Sequence, residues 1–453
     1  MASRDRTPRV SVIIPTKDRA DHLAQTLRTC AMQEYDNLDV VVSDDGSRDH
    51  TRDVVLDAAR RDPRIRYVTP GDGVGMFGNF EFALRQVAPG YVMALGGDDG
   101  LMPHGVEGMV DALTSSGLGL LTWPTPYFFY AGARAPTGQL VLHLDGLRLQ
   151  ERSREIASAD FLARQARQLY YAADIEVPMF YVKGITSTEL VDRVRARTPG
   201  GHFWSCSTPD GYSGIVLAGE VERFAFSGRP FSLHGISPAS QGLNYYAKGE
   251  KARKQSEAFF KAAAARPMHA QLASQPYSPL LPLMTADFLL TAQDLPGWPG
   301  RVPPIDWWTL LERSLGELRD GQFAVERTNR ELAILAAIAE HHGLGTRFRQ
   351  KVASTRRNRR QPLEGNAFSP RQLYVATDPL GVKHIYDAAH AAYTLHAMSA
   401  AGSVGSLWRA AVNSVRYRAL SWRRGDGFPP ESSWTTGSAA PADGSSGSPS
   451  SSS

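Results

Sequence analysis

A chain of 453 residues, 42% of them hydrophobic, has room for two or three cores at about 150 residues per domain. Its formal charge of +4 is mild, which excludes the strongly basic stripe of a dedicated nucleic-acid binder. The two cysteines, Cys30 and Cys206, exclude a disulfide framework and any C-x-x-C metal site, and nowhere do about 18 apolar residues run together as a membrane span requires.

The first nine residues are polar and lack the apolar stretch of a secretion signal. With so few thiols, a reducing compartment is expected, and the protein is read as cytoplasmic.

Val10–Ile14 is a β-branched run, read as a buried strand. Leu23, Leu27 and Cys30 then recur at helical spacing, with Cys30 as a small core residue. Leu38–Val42 is a second strand, Val54 to Ala59 a second helix, and Ile65–Val68 a third strand. Phe80, Leu84 and Val87 mark a helix and Tyr91–Leu95 a strand. Val106 to Leu113 mark another helix and Leu118–Trp123 another strand. This alternation predicts an α/β class with right-handed β-α-β units and a mostly parallel sheet.

Residues 124–246 interleave aromatic residues with Gly and Pro and read as pocket-shaping loops. From about 248 to 424 the pattern becomes mainly helical. Residues 426–453 are Ser, Gly, Pro and Ala and are expected to be disordered. The chain therefore divides into an α/β domain over 8–250, a mainly α-helical region over 251–425, and a tail.

In an open α/β sheet, ligands bind beyond the carboxyl ends of the strands. Three polar clusters fall there: Thr16-Lys17-Asp18, Asp44-Asp45-Gly46 and Asp98-Asp99-Gly100. Adjacent carboxylates repel, so a fold that holds Asp98 beside Asp99 usually supplies a cation. Oxygen ligands suit Mg²⁺ or Mn²⁺, which keep waters and bind substrate phosphates. The plain alternative is a solvated acidic turn. For Asp44 and Asp45 the choice lies between helix capping and hydrogen bonding to a nucleobase or ribose.

Gly73-Val-Gly75-Met-Phe-Gly78 matches G-x-G-x-x-G, but it follows the third strand and not the first. It reads as a turn before the helix of Phe80, with a dinucleotide-dependent oxidoreductase as the lesser alternative. Asp210 is either a turn residue or a general base. His234 is a metal or phosphate ligand if its loop folds back over Asp99. The basic stretches 347–360 and 408–424 are solvated faces, or else peripheral contacts with the inner face of a membrane.

Taken in order, Val10-Ser-Val-Ile-Ile-Pro15-Thr16, Val40-Val-Val-Ser-Asp44-Asp45-Gly46-Ser47 and Gly90-Tyr-Val-Met-Ala-Leu-Gly-Gly-Asp98-Asp99 resemble the family 2 glycosyltransferases with the GT-A fold. A weaker match runs through Pro209-Asp210-Gly-Tyr212 to Gly235–Gly242. The resemblance implies a nucleotide-diphosphate sugar donor and a carbohydrate, lipid-linked or other hydroxyl acceptor. It implies that Pro15, Thr16, Asp18, Asp44 and Asp45 line the nucleotide site and that Asp98 contacts the ribose or donor sugar. Asp99, with His234, would bind the Mg²⁺ or Mn²⁺. Asp210 is the candidate base of an inverting transfer, with Asp174 and Glu176 as competitors and Trp204 and Tyr212 as a sugar-stacking surface. One position departs from the pattern: many members carry an acidic residue where Gly96 stands. That departure keeps a second reading open, a non-catalytic nucleotide-sugar-binding or scaffold protein.

Overall fold

In the computed structural model, the residues described are 7–71, 73–144, 153–206, 208–240, 266–321, 323–358, 365–369, 371–399, 424–427 and 431–434. The boundary near 250, the 408–423 basic stretch, Gly242 and nearly all of the 426–453 tail lie outside them.

The β-branched segments become strands β1 (Val10–Thr16), β2 (Leu38–Asp44), β3 (Ile65–Val68) and β4 (Tyr91–Ala94). Between them run α1 (Ala20–Ala31), α2 (Thr51–Arg61) and α3 (Gly75–Arg85). On β1, Val10, Val12 and Ile14 join one core cluster and Ile13 the other, so both faces of the strand are buried. That is the two-sided burial of a sheet covered by helices. Leu23, Leu27 and Cys30 of α1 all bury on the first face, as their spacing requires.

Next come β5 (Gly100–Leu101), α4 (Gly105–Ser116), β6 (Leu120–Thr122), β7 (Tyr127–Phe129), β8 (Gln139–His143) and β9 (Arg154–Ala157). They are followed by α5 (Ser158–Gln168), β10 (Gly184–Ser187), α6 (Thr188–Arg197), α7 (Asp210–Gly219), β11 (Arg223–Phe226) and β12 (Ser232–Ile236). The middle of the chain is thus more regular than its composition suggests. Its strands are only three to five residues long, too short to set up a visible alternation between Gly and Pro.

Eight strands form the main sheet in the order β3-β2-β1-β4-β10-β6-β11-β9. The β3-β2-β1-β4 half is parallel throughout. Beyond it β10 runs antiparallel to both β4 and β6, and β11 is parallel to β6. This is the expected α/β class with a mostly parallel sheet.

The later residues are mainly helical: α8 (Leu281–Gln293), α9 (Trp307–Asp320), α10 (Val325–His341), α11 (Gly345–Ser354) and α12 (Ile385–Ser399). Short strands β13 (Arg356–Asn358), β14 (Ala367–Phe368), β15 (Gln372–Ala376) and β16 (Arg424–Gly427) interrupt them. Two of these elements reach back into the first half. β15 pairs antiparallel with β8 and so extends a second sheet, β14-β15-β8-β7-β12-β5. α12 packs on α1, and its Ile385 lies against Gly100 and Gly235. α8 covers α7 so closely that a Cβ on Gly211 would stand 2.6 Å from Phe288. No helix among the described residues is long and apolar enough to cross a membrane.

Candidate active site

The polar clusters of β1, β2 and β4 gather at one edge of the parallel half-sheet, because the three strands are in parallel register: Thr16 pairs with Asp44, and Ile13 with Ala94. At the end of β1 the Thr16 hydroxyl is buried without a hydrogen-bond partner among the described residues, beside Gly97. Pro15 pairs with Ser43. Asp18 takes a left-handed backbone conformation (φ 49°), its amide donating to Ser47 Oγ at 2.8 Å and its carboxylate accepting from the Arg48 amide at 2.7 Å. It ties the two strand-end loops together.

Asp44 is buried, accepting from the Ser47 amide (2.9 Å) and the Tyr67 hydroxyl (2.9 Å). Asp45 accepts from the amides of Val74 (2.6 Å) and Gly75 (3.2 Å) and pairs with Lys17 (3.2 Å). It thereby caps α3, which begins at Gly75 and not near Phe80 as the sequence suggests. The glycines at 75 and 78 are inside a helix whose N-terminus Asp45 already occupies. That arrangement argues against a dinucleotide cradle there.

Asp98 and Asp99 are both buried on the turn after β4. Asp98 accepts from Arg19 Nη1 (3.2 Å) and from the hydroxyls of Ser237 (2.7 Å) and Ser240 (2.8 Å). Burial pushes its pKa up, but the Arg19 guanidinium and the two hydroxyls outweigh that and hold it below the ordinary carboxylate value. Asp99 accepts from the amides of Gly96 (2.6 Å) and Gly235 (2.8 Å). Burial, with Asp98 adding to it, pushes Asp99 up to about 6 against the pull of His234 and the amides. At 1.36 kcal/mol per pKa unit, keeping Asp99 ionised at neutral pH costs about 3 kcal/mol. A nearby cation would offset that cost, so this pair suits a hard divalent ion.

The β12 strand does fold back over Asp99, the condition set for His234. The backbone of Gly235 passes so close that a Cβ there would fall 1.6 Å from the Asp98 carbonyl oxygen. His234 is half-buried, its ring 5.5 Å from Tyr127 and 6.2 Å from Tyr181. Asp99, Asp98 and His234 offer oxygen and nitrogen donors to a metal, but no cluster of three His, Cys, Asp or Glu in ligating geometry stands among the described residues. Substrate phosphate and water would have to complete the set.

Gly96 marks what pattern reading missed. Its φ is not in the left-handed region, so backbone strain does not require glycine. Space does: a Cβ would stand 2.7 Å from the Tyr181 hydroxyl, 2.9 Å from Asp99 Oδ2 and 3.2 Å from Asp98 Oδ1. Tyr181 fills the place an acidic side chain would take, and its hydroxyl finds no hydrogen-bond partner among the described residues.

Asp210 is the first residue of α7, not part of a loop. Its Oδ2 accepts from the Tyr171 hydroxyl (3.0 Å), and its buried Oδ1 has no partner among the described residues. Burial raises the Tyr181 phenol's pKa, and the charges of Asp99, Asp98 and Asp210 add to it. The competitors are spoken for. Asp174 accepts from Arg164 (2.8 Å) and Gln165 (2.7 Å), and Glu176 pairs with Arg164 and Arg154. Trp204 and Tyr212 are buried in the core, so they are not a sugar-stacking surface.

A parallel half-sheet with buried carboxylates at its carboxyl edge is the arrangement in which open α/β domains bind ligands. Residues 11–165 match the glycosyl transferase family 2 model, and this part of the chain is a family 2 glycosyltransferase domain.

Over 96 residues it is 34% identical to GalNAc(5)-diNAcBac-PP-undecaprenol beta-1,3-glucosyltransferase of Campylobacter jejuni, covering 21% of this chain and 31% of that protein. Over 67 residues it is 51% identical to validoxylamine A glucosyltransferase of Streptomyces hygroscopicus, covering 14% and 16%. The chain thus spans a third or less of the length of these relatives. Among solved structures it is similar to S. aureus TarS residues 1–349, at 14% identity and a TM-score of 0.41, covering 77% of this chain and 93% of that one.

Proposed function

We propose that the protein moves a sugar from a nucleotide-diphosphate sugar to an acceptor hydroxyl with inversion. The observation that carries this is the buried Asp98–Asp99 pair at the carboxyl ends of the parallel strands, beside the buried Asp44. The Thr16 hydroxyl, Asp18, Asp44 and the 15–18 and 44–47 loops would receive the nucleoside. Asp98, oriented by Arg19, Ser237 and Ser240, would meet the ribose or donor sugar.

Asp99 and His234 would hold Mg²⁺ or Mn²⁺, which when bound offsets charge on the departing diphosphate. The bond from the anomeric carbon to the diphosphate oxygen breaks, and its electron pair leaves with the nucleoside diphosphate. The acceptor oxygen forms the new bond from the opposite face. Its proton would pass to Asp210, whose buried Oδ1 is not taken up by a hydrogen bond among the described residues.

The test is transfer and hydrolysis with UDP-, GDP-, CMP- and dTDP-sugars, with and without Mn²⁺. Absence of both with every donor would refute the reading, and a product retaining the donor's anomeric configuration would refute the single displacement.

A further inference from the structure

Beyond His234 the second sheet carries a row of side chains that the transfer step leaves unused. In register, His234 of β12 sits opposite Tyr127 of β7, and Tyr127 opposite Val141 of β8, with His143 two residues further on. The Tyr127 ring is 5.5 Å from both His234 and His143, so it bridges them. The 181–183 segment leading into β10 lies along this row, with the Tyr181 ring 6.2 Å from His234 and the Lys183 carbonyl accepting from the Thr122 hydroxyl at 2.8 Å, and the Lys183 charge lowers the His143 pKa. The row therefore runs from His234, beside the turn of the paired carboxylates, to His143 in two ring-to-ring steps of 5.5 Å.

Lys183 is half-buried, and its ammonium donates to one acceptor, the Asp174 carbonyl oxygen at 3.0 Å. An ammonium has three protons to donate, so two donors have no acceptor among the described residues. The nearby carboxylates do not take them. Asp174 and Glu176 are engaged by Arg164, Arg154 and Gln165. Three cations thus face two carboxylates, which leaves one positive charge on this wall. Burial lowers the Lys183 pKa to about 8, more than Asp174 and Glu176 raise it. Burial likewise lowers His143 to about 4, with Lys183 adding to it, so His143 is neutral at pH 7. An oxyanion placed here would relieve both groups. If Lys183 only braced the 174–183 segment, one hydrogen bond to a carbonyl would suffice, and a charged, partly desolvated head group would be a needless cost.

We propose that Lys183 and the Tyr127–His143 wall form an acceptor subsite for an oxyanion, phosphate or carboxylate, on the far side of Tyr127 from His234. This rests on the transferase reading for its place in the reaction but not for the binding itself. The ammonium supplies the charge-assisted hydrogen bonds, Tyr127 the flat apolar face for the sugar ring, and His143 a further polar edge.

Two measurements on the full-length protein test it. In the first, inorganic phosphate is titrated calorimetrically into the wild type, Lys183→Met and Lys183→Arg without added metal. One phosphate-binding event should vanish in the Met variant and persist in the Arg variant. Identical isotherms for wild type and Met would overturn the proposal. In the second, the donor that supports transfer is paired with glucose, glucose 6-phosphate and glucuronate as acceptors. The kcat/KM ratio of charged to neutral acceptor should exceed one in the wild type and fall roughly ten- to hundredfold in Lys183→Met. The Arg variant should keep it within a few-fold. A ratio near one in the wild type, or one unchanged by Lys183→Met, would overturn the subsite. Absence of transfer with all donors, with phosphate binding still lost in the Met variant, would instead count against the transferase reading alone.

Discussion

Gly96 and Tyr181 compete for one volume, and a double-mutant cycle can measure that competition. The perturbation is Gly96→Ala, alone and with Tyr181→Phe. The backbone at 96 accepts alanine, so the cost arises from the 2.7 Å approach of the new methyl to the phenol oxygen and 2.9 Å to Asp99 Oδ2. Both distances are shorter than real Cβ contacts, and neither neighbour moves freely. The Tyr181 ring packs 6.0 Å from Phe80, and Asp99 Oδ2 is held by the Gly96 amide at 2.6 Å. Over-packing of this kind costs about 1–3 kcal/mol. Tyr181→Phe removes the atom nearest the methyl, so the two changes should couple by about 1 kcal/mol or more. Gly96→Asp adds a third buried carboxylate beside two others. At an effective dielectric of about 20, a like charge about 4 Å away costs roughly 4 kcal/mol, so this variant should be the least stable of the set without divalent metal. The assay is urea unfolding of wild type, both single variants and the double. Gly96→Ala within 0.5 kcal/mol of wild type, or additive effects in the cycle (about the 0.5 kcal/mol limit for independent sites), would refute the claim that Tyr181 fills the missing acid's place.

Three other outcomes are expected. Asp99→Asn should weaken Mn²⁺ and nucleoside-diphosphate binding together in calorimetry, and unchanged metal-dependent affinity would refute the assignment. Asp210→Asn should leave donor affinity nearly intact and lower turnover by about 10²–10⁴-fold; turnover within a few-fold of wild type would remove Asp210 from the step. Asp287 of α8 is pushed up to about 6 by burial, against a hydrogen bond from the His269 amide. A raised carboxyl pKa favours the protonated fold, so its contribution is full below about pH 4 and is lost as pH rises through 6. Relative to Asp287→Asn, the wild type should therefore lose up to about 3 kcal/mol between pH 4 and 7, and a flat difference in unfolding free energy across that range would contradict it.

Much of the nucleotide-side half was legible. Val10–Ile14, Leu38–Val42 and Tyr91–Leu95 carry enough β-branched and apolar residues to declare strands buried on both faces, and strand ends locate Asp44, Asp98 and Asp99 without further help. What surrounds those carboxylates was not legible. Arg19, Ser237, Ser240 and the Gly235 amide reach them from segments far apart in sequence, and no local period records such contacts. Ser237 and Ser240 do stand in a quoted segment, but only the fold shows both hydroxyls on one carboxylate oxygen. Trp204 and Tyr212 failed for a related reason. Aromatic residues among Gly and Pro look like a loop surface, yet the later helix Leu281–Gln293 lies over this segment and helps to bury it. The same distance hid Tyr181, whose value appears only against the empty Cβ position of Gly96.

The placement of Ile385 has a consequence for how the protein comes off the ribosome. Its side chain lies against Gly100 and Gly235, directly under the turn that holds Asp98 and Asp99. Strand Gln372–Ala376 likewise completes a sheet begun by Gln139–His143. At about 5–20 residues per second, the parallel half-sheet emerges tens of seconds before the helix that supports its reactive turn. During that interval a nascent chain has its nucleotide-side strands but lacks the floor beneath the two carboxylates. Under the proposed transfer, competence should therefore arrive late and at once, when helix Ile385–Ser399 docks, so that unfinished chains would not consume donor.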